Sequence, residues 1–327
     1  MFLAFNPQEK SSLLSTSYWF GNTDILWLKH FIAGGVAGAV SRTVVSPLER
    51  MKILFQVQNS NKSSYSGVVG TLKKIWKEEG FLGYMRGNGT NVIRIFPYSA
   101  VQFATYEKLK YLLMEKGKSE LDTKRRLLAG AGAGIASVIT TYPLDIVRTR
   151  ISVQTGQVYE NAANLPKDAK GRPIIPKMPG ISKTFINIYK NEGGFRAIFR
   201  GLGATLFGVA PYVALNFQCY EVLRKFFTPI GESSPSGINK LICGAIAGCI
   251  AQTFTYPLDV LRRKMQVASM SGMDLGYTST WDALKKVIKQ EGPKGLYRGL
   301  VPNYLKVAPA IGVSFWTYEF CKDIFKI

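Results

Sequence analysis

Three copies of one short pattern recur along the chain, and each copy is centred on a proline. Residues 46–52 read SPLERMK, residues 142–148 read YPLDIVR and residues 256–262 read YPLDVLR. In each copy an acid follows the proline by two residues, and a base follows the acid by three. Because a proline inside an apolar helix costs about 3 kcal/mol and kinks it, a threefold recurrence predicts a repeat architecture of three equivalent units. The three predicted helix kinks are Pro47, Pro143 and Pro257.

Glycine-rich strings precede each of these prolines. A glycine lies thirteen residues before each proline, within AGGVAG, AGAGAG and CGAIAG. Small residues four apart on one helix face let helices approach closely in a membrane. A nucleotide-binding glycine loop is the alternative for the middle string, but no predicted strand precedes it and its spacing differs from that fingerprint. The strings therefore favour helix packing.

A second set of prolines, at positions 97, 211 and 309, precedes another triplicated charge pattern. Ten residues after each proline an acid follows a tyrosine, and a base follows the acid by three residues. We call the six charges behind the first prolines the first charge set: Glu49, Lys52, Asp145, Arg148, Asp259 and Arg262. The second charge set comprises Glu107, Lys110, Glu221, Arg224, Glu319 and Lys322, with its acids preceded by Tyr106, Tyr220 and Tyr318.

Each unit thus reads as two long helices joined by an amphipathic connector. Six helices of about 25 residues are long enough to cross a bilayer with tilt. We therefore predict an all-α membrane protein with six transmembrane helices in three pseudo-threefold repeats, each with a short amphipathic helix. The predicted segments are an N-terminal tail (1–28), repeat 1 (29–115), repeat 2 (123–228, with a long loop at about 155–180) and repeat 3 (237–327).

The formal net charge of +21 suits nucleic acid, an anionic membrane surface or anionic solutes. A nucleic-acid-binding protein would cluster its bases on a solvated face, whereas these bases recur within apolar helices, so no nucleic-acid partner is expected. The four cysteines form no CxxC pair and the chain has one histidine. We therefore expect no metal site and no cofactor. We also expect no enzymatic activity, since no catalytic constellation is present.

The combined motifs resemble those of the mitochondrial carrier family over about residues 29–325. The resemblance implies a monomeric six-helix bundle in the inner mitochondrial membrane. Both termini would face the intermembrane space, and the connector helices would face the matrix. It also implies alternating access, because the two charge sets would act as gates that cannot both stay shut.

By the same resemblance, the first charge set would form a matrix gate and the second a cytoplasmic gate. Gln56 and Gln266 match glutamine braces of the matrix gate, while Ser152 departs from the pattern in repeat 2 and Leu54 replaces a second base in repeat 1. The tyrosines before the second-set acids match cytoplasmic braces. The implied matrix pairs are Glu49–Arg148, Asp145–Arg262 and Asp259–Lys52, and the implied cytoplasmic pairs are Glu107–Arg224, Glu221–Lys322 and Glu319–Lys110.

The resemblance also places substrate contacts three residues before the second prolines. Two bases, Arg94 and Lys306, and a glycine, Gly208, occupy these positions. Two bases and a gap suit an anion with a flat apolar part, because Arg and Lys hold phosphate through charge-assisted hydrogen bonds. We expect both bases to be unpaired, so that removing either leaves stability intact. Further substrate-binding candidates are Val209, Tyr212 and Arg42.

Local strings resemble those of carriers for adenine compounds. VAPYVALNFQCYE and TYPLDVLRRKMQV look nearest to carriers of adenosine 5′-phosphosulfate and coenzyme A. RRKMQV stands where the ADP/ATP carrier has three arginines and three methionines, which argues against that exchanger. We expect a small anionic adenine-containing substrate of the adenosine 5′-phosphosulfate or adenine nucleotide type. Coenzyme A, ATP-Mg/phosphate and a non-transporting carrier-like interaction protein remain alternatives.

Cardiolipin and other membrane lipid are the remaining partners that the resemblance implies. Arg-Gly dipeptides begin the second helix of each repeat, where free N–H groups favour phosphate. A tyrosine–x–glycine near the first connector matches a partner position. The predicted cardiolipin residues are Arg86, Gly87, Arg200, Gly201, Arg298, Gly299, Tyr65 and Gly67.

Overall fold

The computed structural model describes residues 20–58, 65, 67–114, 121–160, 179–228, 237–270 and 276–325, without the side chains of 20–28, 123, 155–160 and 237–238. These residues form helices and turns and contain no strand. Residues 1–19 of the predicted tail and residues 161–178 of the predicted long loop lie outside the described residues.

Thirteen α-helices and one 3-10 turn make up the described part of the chain. Their bounds are α1 Phe20–Val44, α2 Ser46–Val57, α3 Val68–Tyr84, α4 Asn88–Ile93, α5 Ile95–Leu113, α6 Thr123–Glu160, α7 Ile181–Asn191, α8 Phe195–Ile198, α9 Leu202–Phe227, α10 Gly237–Val267, α11 Thr280–Glu291, the 3-10 turn Pro293–Tyr297, α12 Leu300–Leu305 and α13 Val307–Phe325.

Two helices extend beyond the predicted segment boundaries. Helix α1 begins at Phe20, inside the predicted tail 1–28, because the apolar string ILWL continues the helical pattern towards the N-terminus. Helix α6 continues to Glu160, about one turn and a half into the predicted loop. The first proline of that stretch is at position 166, so no proline stops the helix at 155.

The long helices form a ring in which the second helix of each repeat packs along the first helix of the next. Helix α5 packs against α6, α9 packs against α10, and α13 returns to pack against α1. Contacts within the repeats, between α1 and α4/α5, α6 and α9, and α10 and α12, complete the ring. The three sequence repeats are therefore arranged around one axis, as threefold recurrence predicts.

The prolines act differently in the three repeats. In repeat 1 the axes of α1 and α2 meet at 61° beside Pro47. Helices α6 and α10 instead continue through Pro143 and Pro257 without interruption. In the second helices of repeats 1 and 3 the backbone keeps right-handed helical angles through Arg94 and Lys306, three residues before a proline.

Large apolar side chains cover the outside of the ring. Phe226 is 84% exposed, Phe207 72% and Trp316 69%, which suits contact with lipid rather than water. Within the described residues, three helices are long and apolar enough to cross a membrane: Lys124–Gln154, Phe195–Phe227 and Asn239–Val267. The bent pair α1–α2 would make a fourth span if its two halves count as one.

Only one glycine of each glycine string faces a neighbouring helix at ordinary contact distance. A Cβ at Gly38, Gly134 or Gly248 would lie 3.7–3.9 Å from a side chain of a second helix. The glycines four residues earlier, which define the thirteen-residue spacing, have open space at the same position. Gly35 and Gly132 approach second helices more closely still, since a Cβ there would lie 2.8 and 2.7 Å from a side chain, so the strings allow close packing at more than one glycine.

Short helices connect the two long helices of each repeat, as predicted from the amphipathic connectors. Helix α3 packs against α2, α7 against α6, and α11 against α10. Helix α11 begins with a side-chain N-cap, in which the Ser279 hydroxyl accepts a hydrogen bond from the Asp282 N–H at 3.2 Å. Each connector buries one apolar stripe, for example Ile188 of α7 against Ile146 and Val147 of α6.

Candidate functional site

The first charge set lies on α2, α6 and α10, where each acid contacts a base of a neighbouring repeat. Acid and base stand three residues apart on each helix and therefore share one face. The three helices meet at this end of the bundle, so each acid bonds across the ring. The bonds join Glu49 to Arg148, Asp145 to Arg262 at 2.5 Å, and Asp259 to Lys52 at 3.5 Å.

Asp145 is the most enclosed of the three acids, with 1% of its side chain exposed. Besides Arg262, it accepts hydrogen bonds from Arg263 at 3.1 Å and from the Gln266 amide at 2.8 Å. A carboxylate this deeply buried needs several donors to offset its lost hydration. The repeat 2–repeat 3 junction is accordingly the best satisfied of the three.

Asp259 is the most exposed of the three acids. Its side chain is 36% exposed and its contact with Lys52 is long. A hydrogen bond from Gln252 on its own helix, at 2.8 Å, completes its described partners. The repeat 3–repeat 1 junction therefore depends on a looser ion pair than the other two.

Arg94 and Lys306, predicted to be unpaired cavity bases, are both ion-paired. The Arg94 guanidinium lies 3.2 Å from the carboxylate oxygen of Asp145 that Arg262 does not use. The Lys306 ammonium bonds the oxygen of Glu49 that Arg148 does not use. The expectation that both bases are unpaired is therefore wrong, and we now expect their removal to lower stability, since each removal would take one donor from a largely buried acid. The sequence did not predict these two contacts, because they do not belong to either recurring acid–base spacing.

The predicted glutamine braces make different contacts. Gln266 donates to Asp145 and also to the Tyr142 hydroxyl at 3.2 Å, so it joins the ion pair directly. Gln56 donates to the Tyr256 hydroxyl at 3.2 Å. The Lys52 ammonium lies 5.4 Å from the centre of that tyrosine ring, so Gln56 supports the pair through the aromatic ring.

Repeat 2 has Ser152 at the brace position. Its hydroxyl oxygen lies 2.8 Å from the Arg148 carbonyl and 3.3 Å from the Arg86 carbonyl, and its single hydrogen can be donated to either one. Ser152 thus connects the backbone of Arg148, a base of the first charge set, to the start of the second helix of repeat 1. No bond from Ser152 to the Glu49 side chain is present among the described residues.

The other predicted substrate residues lie near the first charge set. Arg42 donates to the Asn91 side chain at 2.9 Å. Gly208 packs on α10, where a Cβ would lie 3.7 Å from Leu258, the residue before Asp259. Val209 faces Gly134 on α6, and Tyr212 is half-buried one turn further along α9.

The second charge set forms none of the implied ion pairs across the ring among the described residues. Glu221 contacts Arg224 at 3.9 Å and Glu319 contacts Lys322 at 3.1 Å, in each case along its own helix. The Tyr318 hydroxyl, a predicted brace, hydrogen-bonds His30 of α1 at 3.0 Å. The implied pairs Glu107–Arg224, Glu221–Lys322 and Glu319–Lys110 are therefore not formed in this conformation, in which only the first charge set is joined across the ring.

A third group of ion pairs, which the sequence analysis did not predict, lies next to the first charge set. Arg150 bonds Glu192, and Lys264 bonds Glu291; both bases follow the proline by seven residues. Repeat 1 has Leu54 at that position, and Arg50, one turn earlier, bonds Glu79 at 2.6 Å instead. We call these three the buried pairs. The recurring acid–glycine strings EGFLGYMRG, EGGFRAIFRG and EGPKGLYRG were the available signal.

The pair formed by Glu192 also reaches repeat 3. Glu192 accepts hydrogen bonds from Arg150 and from the Ser269 hydroxyl. Burial alone would raise the pKa of Glu192, but these hydrogen bonds and the charge of Arg150 outweigh it and lower the pKa below its ordinary value. The carboxylate is thus held ionised at the repeat 2–repeat 3 junction.

The Arg-Gly glycines begin the second helices and touch the first charge set. Gly87, Gly201 and Gly299 have φ values of 83°, 87° and 86°, which favour glycine. A Cβ on each would lie 2.9–3.1 Å from the backbone carbonyl of a first-set base in the next repeat: Arg148, Arg262 and Lys52 respectively. These glycines therefore permit the close approach that aligns the first charge set.

Two of the three predicted cardiolipin arginines point inwards. Arg86 lies 3.5 Å from Glu79, and Arg298 lies 3.2 Å from Glu291. Tyr65 is 6% exposed and packs with Leu54, while Gly67 precedes α3 with a φ of 68°. Lipid contact at these residues stays a prediction.

Comparison with known proteins gives a consistent family match. The model of a family described as "Mitochondrial carrier protein" matches residues 24–117, 119–230 and 233–327. A Saccharomyces cerevisiae protein named uncharacterized mitochondrial carrier YPR011C is 49% identical over 90% of this chain and 91% of its own. The Arabidopsis thaliana mitochondrial adenine nucleotide transporter ADNT1 is 43% identical (90% and 86%), and the Zea mays mitochondrial carrier protein CoAc1 is 39% identical (91% and 87%).

Proposed function

The chain belongs to the mitochondrial carrier family, a family of membrane transporters rather than enzymes, and we propose that it carries a phosphorylated, adenine-containing solute across the inner mitochondrial membrane. The observation that carries this proposal is the pair of bases at matching depth, Arg94 and Lys306, with Gly208 at the third equivalent position. The bases would bind phosphate through charge-assisted hydrogen bonds. The absence of a side chain at position 208 would let a flat ring lie there, in contact with Val209 and Tyr212.

Transport would proceed by alternating access, with exchange of one solute for another. The conformation described here has the first charge set joined and the second set not joined across the ring. We assign it to a state that is closed on the matrix side and open towards the intermembrane space. Reversal would break the first set and pair the second, and each set would act as one gate.

Three further features belong to the same proposal. The bundle would cross the membrane six times as a monomer, with both termini in the intermembrane space. Connector helices α3, α7 and α11 would lie on the matrix side. Cardiolipin would bind at the Arg-Gly starts of the second helices, where it would hold neighbouring repeats together.

The substrate is proposed to be adenosine 5′-phosphosulfate or an adenine nucleotide. A relative named as an adenine nucleotide transporter, at 43% identity over most of both chains, supports the adenine part. The two bases support an anionic part. Coenzyme A and ATP-Mg/phosphate contain the same chemistry and are the alternatives that an assay must separate.

The test is uptake into liposomes that contain the purified protein and an internal pool of unlabelled ATP. External ATP, ADP, AMP, coenzyme A, adenosine 5′-phosphosulfate and inorganic phosphate are compared, with adenosine as the uncharged control. We expect saturable uptake of at least one phosphorylated adenine compound and none of adenosine. Arg94→Ala and Lys306→Ala should lose most of this uptake, whereas Lys183→Ala, on the exposed face of α7, is the matched control for lost positive charge and should keep it. The absence of uptake of every adenine compound would contradict the proposal.

A further inference from the structure

Arg94 and Lys306 connect the proposed substrate site to the first charge set. Each of the two acids they contact uses its two oxygens for different partners. Asp145 offers one oxygen to Arg262 and the other to Arg94; Glu49 likewise bonds Arg148 and Lys306. The carboxylate that closes the ring therefore also holds the base that would receive substrate phosphate.

These two contacts follow the threefold symmetry. In each, the base of one repeat bonds the acid of the next: Arg94 of repeat 1 bonds repeat 2, and Lys306 of repeat 3 bonds repeat 1. The third such contact would run from position 208 to Asp259. Gly208 lies beside Leu258 in this place but has no side chain to bond the acid.

The acid without such a contact is the least enclosed. Asp259 is 36% exposed, compared with 18% for Glu49 and 1% for Asp145. The enclosure of the three acids is therefore lowest where the second base is missing.

We propose that Arg94 and Lys306 act as latches, which hold the first charge set closed until a polyanionic substrate competes for them. The proposal rests on the function given above. Phosphate groups that bind these bases withdraw one donor each from Asp145 and Glu49, so the closed state loses cross-repeat bonds only when substrate is present. A ligand shifts a conformational equilibrium only through different affinities for the two states, and competition for the latch supplies that difference. A neutral nucleoside has no group that replaces a carboxylate.

The sharpest test adds the missing latch. A lysine at position 208 would stand where Lys306 stands in repeat 3, and a Cβ there makes only ordinary contacts. Gly208→Met is the matched control, since it has similar length and helix propensity but no charge. We expect Gly208→Lys to unfold at a higher temperature than Gly208→Met without ligand, and to exchange substrate about tenfold more slowly. A tenfold rate change corresponds to about 1.4 kcal/mol, close to the strength of one charge-assisted hydrogen bond.

Asp259→Asn supplies the second half of the test. In that background the Gly208→Lys and Gly208→Met proteins should unfold at the same temperature, because the added ammonium has lost its partner. A difference that survives Asp259→Asn, or equal behaviour of the two variants without it, would overturn the latch.

A measurement without any substrate tests the native latches. Arg94→Gln should lower the ligand-free unfolding temperature, and much less so when Asp145 is already replaced by asparagine. An unchanged unfolding temperature for Arg94→Gln would contradict the latch even if uptake were lost. Because these comparisons need no transport, a failure of nucleotide uptake by the unaltered protein would remove the proposed function and still leave the latch decided.

Discussion

Arg50 offers the most direct check on the energetics of the repeat junctions, since it takes the place of the base that repeat 1 lacks at position 54. Its side chain is 1% exposed. One guanidinium nitrogen bonds Glu79 at 2.6 Å, a second bonds the Gly83 carbonyl, and a third bonds the Ser152 carbonyl of repeat 2 at 3.1 Å. Arg50 therefore ties α2 both to its own connector helix and to the neighbouring repeat.

The perturbation is Arg50→Met, which keeps the length of the stem and removes the charge. Glu79, 2% exposed, would then be left as a buried carboxylate with Arg86 at 3.5 Å as its remaining basic partner among the described residues. Removing one partner of a buried pair costs about 3–5 kcal/mol. At about 2–4 °C per kcal/mol this predicts a fall of roughly 6–20 °C in the unfolding temperature.

The assay is thermal unfolding in mild detergent, followed with a thiol-reactive dye. Cys243 and Cys321 are buried and would react only on unfolding. Arg86→Met is the matched control, because it removes a partly exposed base from the same carboxylate and should have a much smaller effect. Pairing Arg50→Met with Glu79→Gln should restore part of the loss, since the uncompensated charge is then absent.

Moving the base from position 50 to position 54 provides a further test. Combining Arg50→Met with Leu54→Arg moves the guanidinium to the position that the other two repeats use. Leu54 packs against Ile75, one turn before Glu79, so the new base should approach the same carboxylate and recover part of the stability. The reasoning fails if Arg50→Met shifts unfolding no more than Arg86→Met does, or if Glu79→Gln gives no recovery.

Three other outcomes are expected. Gly299→Ala should lower the unfolding temperature more than an alanine at the exposed, helical Gly70, because its Cβ would meet the Lys52 carbonyl at 2.9 Å and its φ is 86°; equal shifts would contradict this. Combining Lys52→Asp with Asp259→Lys should transport better than either single change, which a liposome uptake assay can measure. Because the pKa of Glu192 is lowered in the folded protein, its contribution to stability is present above about pH 4.3 and is lost as the pH falls through the lower folded value. Glu192→Gln should therefore reduce the loss of stability that acid causes. An unchanged loss of stability at low pH would count against this role of Glu192.

The threefold recurrence and the family resemblance together predicted which residues of the first charge set meet. An acid and a base three residues apart share a helix face, so three such helices around one axis bring each acid near the bases of its neighbours, and the resemblance supplied the direction of pairing. The positions of the helix breaks were less predictable. Pro143 and Pro257 continue their helices, whereas Pro47 stands at a 61° bend, although the local sequences are nearly the same.

Contacts between the proposed substrate bases and the first charge set lay beyond the sequence pattern. The bond from Arg94 to Asp145 joins residues 51 positions apart in different repeats, and no local spacing encodes it. The ion pair of Arg50 was not predicted, because alignment of the repeats places the second base of repeat 1 at position 54, which is leucine. The ion pairs implied for the second charge set are absent for another reason. Its sequence suits both a joined and an open state, and the conformation decides which one is present.

The inequality of the three junctions explains how a ring of ion pairs can hold and still open. A gate in which every acid were as enclosed as Asp145 would need several kcal/mol at each junction before any of them separated. Asp259 avoids this, because it is partly exposed, its bond to Lys52 is long, and Gly208 offers it no further base. Partial hydration of Asp259 lowers the cost of separating this pair, since water replaces the lost partner. The latch from Lys306 to Glu49 crosses the same repeat 3–repeat 1 junction, so a bound anion that competes for this lysine removes a second bond there. Substrate therefore acts at the junction whose gate pair is already the loosest, so the residues that break the threefold pattern set the order in which the symmetric ones separate.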